Sequence, residues 1–261
     1  MTKRKTSALI QKDTRSGRRY QEPEGKVFYT KESKTIDFTQ SQPKKQTKPV
    51  ELVPQSINQE KYIIALTDPE TDIVVVSGPA GTGKTYLAML AAIKAMRQGD
   101  CDKILLTRPA VAADAEQHGF LPGDLNAKME PWVRPLFDVM REYYSVTELE
   151  YMIKEQIIEI APLAFCRGRT FKNAWIICDE MQNCSPHLMK MIMTRIGEGS
   201  KLVITGDTKQ ADRKTPDNGL LDLIYRAQSH TVPGMTFCAF DNRDIRRHEI
   251  ITHILKLYGE E

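Results

Sequence analysis

The sequence predicts an α/β protein whose mainly parallel β-sheet is covered by helices on both faces. From Val53 onward, short apolar runs alternate with segments that have a helical pattern. The segments between the runs are long enough for the crossover connections that parallel strands need. A glycine-rich turn, followed by a helical pattern, comes directly after the first run, and such folds bind ligands at the carboxyl ends of their strands. With 261 residues and 41% hydrophobic content, the chain can bury one substantial core.

Six strands are expected from the apolar runs. They are Ile73–Ser77, Lys103–Thr107, Ile157–Ala161, Ala174–Cys178, Leu202–Thr205 and Met235–Phe240. Runs of this length without alternation are typical of strands that are buried on both faces. Two helix starts are marked by cap residues, because Ser185 precedes Pro186 and Asn218 precedes another apolar run.

The first fifty residues differ in composition from the rest of the chain. Residues 1–50 carry 13 Lys/Arg against 5 Asp/Glu, whereas residues 51–261 carry 24 against 29. The first segment also has few large apolar residues and no sustained period. We therefore expect a basic, mostly disordered tail over 1–50, before one domain over 51–261. The tail could attract phosphate backbones, and a solvated arm without a partner is the open alternative.

Composition also bears on location. The five cysteines are an odd number without a Cys-x-x-Cys pair, which predicts reduced thiols and a cytoplasmic protein. No apolar run has the length of a membrane span, and the N-terminus lacks the apolar segment of a signal peptide, so no membrane partner is expected. A metal site of Cys178, Cys184 and His187 is disfavoured because Cys178 falls in a buried strand pattern and no fourth ligand is apparent.

The motif that carries most chemistry follows the first predicted strand. It reads Gly78-Pro79-Ala80-Gly81-Thr82-Gly83-Lys84-Thr85, and a helical pattern continues from Tyr86. This spacing, between a strand and a helix, is that of a phosphate-binding loop. Its backbone N–H groups curl around phosphate oxygens, Lys84 reaches the β- and γ-phosphates, and Thr85 offers its hydroxyl to Mg²⁺. Residues 78–86 are therefore the predicted nucleotide contacts.

Two adjacent carboxylates end the fourth predicted strand, in the pattern called Walker B. Asp179 is expected to hold Mg²⁺, and Glu180 to orient and deprotonate the attacking water. A base for water favours hydrolysis over phosphate transfer to a small molecule, which needs the acceptor activated instead. Gln210, after the fifth strand, is a candidate sensor of the γ-phosphate, and a plain Gly-Asp turn with an exposed glutamine is the alternative.

Together these motifs resemble the PhoH-like ATPase family. The matching segments are Gly78–Thr85, Thr107–Val111, Gly119–Asp124, Arg167–Phe171, Asp179–Asn183 and Gly206–Arg213. The resemblance spans about residues 53–258 and implies a P-loop NTPase with one RecA-like domain, ATP hydrolysis and action on RNA. His118 and Met181 depart from the family pattern, but neither replaces a catalytic group. We expect no nuclease-like domain before the ATPase.

The resemblance also implies further site residues. Gln59 resembles a glutamine that recognises adenine, and a capping or surface role is its alternative. Arg247 matches the family's arginine near the C-terminus and is the first candidate for a finger that stabilises γ-phosphate charge, with Arg213 second. One RecA-like domain supplies one wall of such a site. We therefore expect a second subunit to supply the other, in a homo-oligomeric ring that the resemblance makes a hexamer.

Arg108, Phe120, Arg167 and Arg169 are the candidate contacts to a nucleic acid. Phe120 could stack on a base, with core packing as the alternative. The expected function is an ATP-driven motor or remodeller that acts on RNA or single-stranded DNA. An ATP-gated switch with slow hydrolysis is the main alternative. A small-molecule kinase is a third, against which Glu180 and Gln210 argue.

Overall fold

The computed structural model describes residues 48–109, 134–210 and 218–246, together with residues 250 and 257. Its strands are β1 (Ile73–Ser77), β2 (Lys103–Arg108), β3 (Ile158–Pro162), β4 (Ala174–Cys178), β5 (Lys201–Gly206) and β6 (Met235–Ala239). They form one six-stranded sheet in the order β3-β2-β4-β5-β1-β6, and all neighbouring pairs are parallel. The predicted parallel α/β fold is confirmed, and each predicted strand ends within one residue of the observed one.

Five helices with defined ends accompany these strands in the described residues. They are α1 (Ile57–Thr67), α2 (Lys84–Gln98), α3 (Val146–Lys154), α4 (Pro186–Met193) and α5 (Gly219–Ala227), and residues 134–141 are also helical. Both predicted caps are confirmed: Ser185 accepts from the N–H of Leu188, and Asn218 from the N–H of Leu221. None of the described helices is both long and apolar enough to cross a membrane.

Apolar residues pack on both faces of the sheet, because successive strand residues point to opposite sides. On one face the strands pack against α1, α2 and α3, with Tyr62 and Leu87 fully or almost fully buried. On the other face they pack against α4 and α5, where Ile192 and Leu220 are fully buried. The inner strands are therefore apolar along their whole length, which explains why their sequences show no alternation.

The strand order determines which loops meet at the carboxyl edge of the sheet. β5 lies between β1 and β4, so the loop after β1 and the loop after β4 flank the loop after β5. Adjacent strands are about 4.8 Å apart, which places the ends of β1 and β4 about 10 Å from each other. The predicted phosphate loop and the predicted Walker B carboxylates therefore face one shared space.

Most of the predicted basic tail, residues 1–47, lies outside the described residues. Its last residues contact the core: Lys48 forms an ion pair with Glu142 at 2.9 Å, and its carbonyl oxygen accepts from Arg97. Val50 is partly buried against the apolar cluster around α1 and α2. The last residues of the predicted tail, Lys48 and Val50, therefore pack on the domain that was expected to begin at residue 51.

Candidate functional site

The turn between β1 and α2 has the backbone that its glycines predict. Gly83 is the N-cap of α2 and has φ +81°, in the left-handed region that favours glycine. Gly78 has φ +155°, and a Cβ there would lie 2.6 Å from both Cβ and the carbonyl oxygen of Phe240. The loop therefore depends on glycine for its turn and also for close packing against the end of β6.

Lys84 folds back over this loop. Its Nζ donates to the carbonyl oxygens of Gly78 and Pro79, each at 2.7 Å, and lies 3.4 Å from Oγ1 of Thr82. Thr82 also donates to the Pro79 carbonyl at 2.9 Å. The ammonium group of Lys84 is thus bound by oxygen atoms of the loop, and a phosphate group offers the same kind of partner.

Asp179, directly after β4, joins three elements of the sheet edge. Its Oδ1 accepts from Thr85 Oγ1 at 2.8 Å and from Thr205 Oγ1 at 2.5 Å. Thr85 belongs to the first turn of α2, and Thr205 is a fully buried residue of β5. Sequence reasoning missed Thr205, because its role follows from the position of β5 between β1 and β4 and has no local motif.

Glu180 has an unusual backbone and a buried partner. Its φ of +54° and ψ of +39° place it in the left-handed region, where a residue with a side chain costs about 1–3 kcal/mol. Gln182, which is 1% exposed, donates from Nε2 to Glu180 Oε2 at 2.5 Å. The Oε1 of Gln182 accepts from the backbone N–H of Asp207 at 3.1 Å. Gln182 therefore links the second Walker B carboxylate to the loop after β5.

Gln182 was also absent from the predicted site. The signals for it in the sequence are its place in the family-like segment Asp179–Asn183 and a polar side chain two residues after Glu180. The other residues of this turn, Met181 and Asn183, are buried as well. The fit around it is close, because a Cβ on Gly206 would lie 2.6 Å from Gln182 Oε1.

A cleft of about 270 Å³ collects nine of the predicted residues. Its lining is Ala80, Gly81, Gly83, Lys84, Thr85, Tyr86, Asp179, Glu180, Gly206, Asp207 and Gln210. Gln210 reaches it through a turn in which its N–H donates to the Asp207 carbonyl at 3.2 Å. Within the described residues, Lys84 is the one cationic side chain of this lining, which also contains three acidic side chains.

Gln59 lies beside the phosphate loop and not at the surface. It is 4% exposed, its Nε2 donates to the Thr82 carbonyl at 3.0 Å, and its Oε1 accepts from the Gln55 N–H at 2.7 Å. The surface alternative is therefore wrong, whereas the bond to the Gln55 N–H, directly before the N-cap Ser56, agrees with the capping alternative. Both ends of the amide that was expected to recognise adenine are engaged within the protein.

The remaining predicted residues differ in whether the structure describes them and in what their side chains contact. Phe120, Arg213 and Arg247 lie outside the described residues. Arg108, half-buried, ends β2, and Arg167 is exposed with its guanidinium 3.3 Å from Nε2 of His187.

Arg169 differs from these residues, because the protein itself binds its guanidinium. It donates to both carboxylate oxygens of Glu159, at 2.5 and 2.8 Å, and Lys103 also donates to Glu159 at 3.0 Å. These hydrogen bonds, mainly that of Arg169, lower the pKa of Glu159 from 4.5 to about 2 although burial opposes the change. Arg169 also covers the ring of Phe171, 4.6 Å from its centroid. The side chain is therefore a structural tie between β3 and the segment before β4.

The disfavoured metal site has no support in the described residues, which contain no cluster of three His, Cys, Asp or Glu side chains that could hold a metal. Cys178 and Cys184 are fully buried, and burial raises the pKa of the Cys178 thiol well above its ordinary value. All five cysteines lie in described residues, and none of them forms a disulfide.

Comparison with known proteins gives relatives at high similarity. A chain described as "PhoH-like protein" from Bacillus subtilis (strain 168) is 42% identical over 208 residues, which cover 79% of this chain and 64% of that protein. One from Synechocystis sp. is 40% identical over 204 residues, covering 78% and 61%. Protein PhoH of Escherichia coli (strain K12) is 36% identical over 190 residues, covering 72% and 53%. The matched region thus spans between half and two thirds of the curated relatives.

Solved structures are similar at a lower level. The DUF1998 helicase MrfA bound to DNA has a TM-score of 0.43 and 13% identity, covering 70% of this chain and 25% of that chain. The Hef helicase domain of Pyrococcus furiosus has a TM-score of 0.42 and 12% identity, covering 77% and 44%. The family model described as "PhoH-like protein" matches residues 51–259, which include every strand of the sheet and the whole cleft. This chain belongs to the PhoH-like protein family.

Proposed function

We propose that the chain binds ATP with Mg²⁺ in the cleft at the carboxyl edge of the sheet and hydrolyses it. The observation that carries this proposal is the 2.8 Å contact between Thr85 Oγ1 and Asp179 Oδ1. It joins the hydroxyl of the phosphate loop to the first Walker B carboxylate, although the two residues are 94 positions apart. Mg²⁺ takes hard oxygen ligands about 2.1 Å away in an octahedron, whose neighbouring ligands are about 3 Å apart. The two oxygens thus fit adjacent positions around one ion.

The phosphate loop fits the triphosphate in the same way. Lys84 is held by the carbonyl oxygens of Gly78 and Pro79, and phosphate oxygens are stronger partners for an ammonium because they carry charge. The N-terminus of α2 adds backbone N–H groups and the positive end of its dipole. Bound Mg²⁺ would neutralise charge on the β- and γ-phosphates. The cleft, at about 270 Å³, is of a size for the phosphate groups, with Tyr86 at its edge.

Glu180 is the proposed base that orients and deprotonates water. Its carboxylate lines the cleft beside Asp179, and Gln182 holds one of its oxygens. A fixed base adds typically 10²- to 10⁴-fold to a rate. We assign Gln182 a positioning role, since it binds Glu180 but does not line the cleft. Gln210 also lines the cleft and is the proposed sensor of the γ-phosphate.

The proposal also covers recognition of the adenine base and a nucleic-acid partner. Recognition of adenine by Gln59 requires its bonds to Thr82 and Gln55 to exchange for bonds to the base. A nucleic acid, either RNA or single-stranded DNA, is the proposed partner whose binding accelerates hydrolysis. Two observations support this partner. The motifs resemble those of ATPases that act on RNA, and the exposed Arg167 follows β3 at the same edge of the sheet as the cleft.

Hydrolysis of ATP should be measured with and without poly-U RNA and single-stranded DNA. Strong stimulation supports a motor or remodeller, whereas hydrolysis without stimulation supports the ATP-gated switch. Glu180→Gln should lower the rate of hydrolysis about 10²- to 10⁴-fold and retain binding of a fluorescent ATP analogue. Glu198→Gln, a change of the same type at an exposed site near the start of β5, should leave both unchanged. Turnover by Glu180→Gln at a normal rate would remove Glu180 from the mechanism.

We also propose a homo-oligomer, a hexameric ring in the simplest case, with the cleft at an interface. Among the described residues Lys84 is the one cation in the cleft, and phosphoryl transfer sites commonly use an arginine as well. Arg247 and Arg213 remain the candidates. Mixing Glu180→Gln with Arg247→Ala subunits should recover hydrolysis if the arginine acts across an interface, because some mixed sites then contain both groups. Light scattering with an ATP analogue gives the subunit number, and a monomer with a full rate would contradict the assembly.

A further inference from the structure

The turn that follows β3 exposes an aromatic ring. This turn, Leu163–Cys166, is a short 3-10 helix at the carboxyl end of the strand. Leu163 and Cys166 are 1% and 0% exposed and anchor it to the core, whereas Phe165 is 56% exposed. The buried residues are three positions apart, which leaves the ring between them on the solvent side of the turn. Within the described residues, this ring contributes little to the core.

Two cationic or polar side chains accompany the ring. Arg167 follows directly, is exposed, and lies 3.3 Å from Nε2 of His187 on the first turn of α4. Gly168 then adopts φ +75° and reverses the chain, so that Arg169 returns to the core. α4 packs against the turn after β3, which keeps His187 beside it. The exposed ring and the exposed Arg167 are thus two residues apart in sequence, and the guanidinium of Arg167 lies beside the imidazole of His187.

The segment that surrounds the ring carries a net positive charge. Residues 163–195 contain five Lys/Arg and two Asp/Glu, and both of these acidic residues, Asp179 and Glu180, line the cleft. The chain from residue 51 onward is acidic overall, with 24 Lys/Arg against 29 Asp/Glu. The basic residues of this segment are therefore a local departure from the rest of the domain. An exposed aromatic ring among basic side chains is the combination that single-stranded nucleic acids bind.

We propose that Phe165, Arg167 and His187 form a contact site for single-stranded nucleic acid. One base stacks on the Phe165 ring, Arg167 binds a backbone phosphate, and His187 offers a ring nitrogen to the same strand. The site rests on the proposed nucleic-acid dependence of hydrolysis and names the residues that supply it. It also replaces Arg169, whose donors are engaged by Glu159, as a contact to the nucleic acid.

The position of this site suits coupling to the cleft. β3 is separated from β1 by β2, β4 and β5, so about 19 Å of the sheet edge lies between the site and the phosphate loop. Arg108 pairs in register with Pro162, which places it between the two. A single short segment, residues 180–187, leads from Glu180 to His187. Movement of His187 on binding would thus reach the catalytic carboxylate through a few buried residues.

Binding of fluorescein-labelled 20-mer oligo-U and oligo-dT should be measured by anisotropy over a range of salt concentrations. Phe165→Ala should weaken binding about 5- to 100-fold, the effect of losing one stacked base, without changing the salt dependence. Arg167→Ala should lower the slope of log K against log salt by about 0.7, the value of one phosphate contact on a single strand. Tyr151→Ala, an equally exposed ring on α3, and Lys154→Glu are the matched controls and should bind as the unaltered chain.

The outcomes separate this site from the proposed function. If the unaltered chain binds neither oligonucleotide, nucleic-acid dependence and the site are both overturned. If it binds but Phe165→Ala and Arg167→Ala bind equally well, the site is overturned and the proposed function stands. Thermal unfolding of each variant serves as the check of folding, and hydrolysis without nucleic acid reports on the cleft separately. Different losses with oligo-U and oligo-dT would identify which nucleic acid the site prefers.

Discussion

Replacement of Gln182 by alanine tests whether a buried amide positions the catalytic base. In the structure its Nε2 donates to Glu180 Oε2 at 2.5 Å, and its Oε1 accepts from the N–H of Asp207 at 3.1 Å. A hydrogen bond to a charged group contributes about 1.5–3 kcal/mol. That is similar to the roughly 1–3 kcal/mol cost of the left-handed backbone of Glu180. Without Gln182 the strain is no longer offset, and Glu180 is expected to leave its position.

We expect Gln182→Ala to lower kcat about 10- to 100-fold and to leave KM within about twofold. The base remains present but is no longer held, and displacement of about 1 Å can cost about 10²-fold in rate. KM should change little because Gln182 does not line the cleft. The protein should also lose about 1–3 kcal/mol of stability, since the buried N–H of Asp207 has lost its acceptor. Steady-state hydrolysis and urea unfolding measure the two effects separately.

A double-mutant cycle distinguishes positioning from a general loss of structure. In the Glu180→Gln background, Gln182→Ala should have no further effect on the residual rate, since there is no carboxylate left to position. Gln182→Met fills the same space without either hydrogen bond, so it should leave both kcat and the stability that depends on the Asp207 N–H lowered, as in Gln182→Ala. A kcat within twofold of normal for Gln182→Ala, or equal losses in both backgrounds, would refute the positioning role.

Three further changes test separate features. Because Arg169 holds the pKa of Glu159 at about 2 in the fold against an ordinary 4.5, the stability that this carboxylate contributes is present in full above pH 4.5 and is lost as the pH falls toward 2. In Glu159→Gln, the free energy of unfolding in urea should therefore differ less between pH 5 and pH 2.5 than in the unaltered chain. Gly78→Ala places a Cβ 2.6 Å from Phe240 and should weaken binding of an ATP analogue at least tenfold in fluorescence titration. Thr85→Ala should reduce affinity in Mg²⁺ but not in EDTA, so an unchanged ratio of the two would contradict its role as a metal ligand.

Much of the fold and of the cleft could be predicted because the signals are local. The strands are continuous apolar runs, and the caps Ser185 and Asn218 act within three residues of themselves. The phosphate loop is likewise one contiguous segment, so its glycines and Lys84 can be recognised without knowledge of the fold. The parallel arrangement follows from the lengths of the connecting segments, which rule out simple hairpins.

The interactions that were missed are those between segments distant in sequence. Thr205 contacts Asp179 only because β5 is inserted between β1 and β4, and strand order is not encoded in either segment alone. The pairing of Arg169 with Glu159 also needs the register of β3 at the sheet edge. Gln59 differs in kind, because its recognition as an adenine contact concerns a bound state, whereas the structure shows its amide bracing Thr82.

The segment 180–187 gives the two proposals one physical link. It begins at a strained carboxylate in the cleft, passes through a turn that is almost wholly buried, and ends on α4 at an exposed imidazole. Buried turns of this kind move as units, because packed interiors resist small local displacement. A nucleic-acid strand bound at His187 and Phe165 would therefore change hydrolysis through the position of Glu180. The hydrogen bond between Gln182 and Asp207 would carry the same movement to the loop that contains Gln210. Stimulation by nucleic acid should then be lost in Gln182→Ala even where oligo-U binding is normal, and retained stimulation would show that another path connects the two sites.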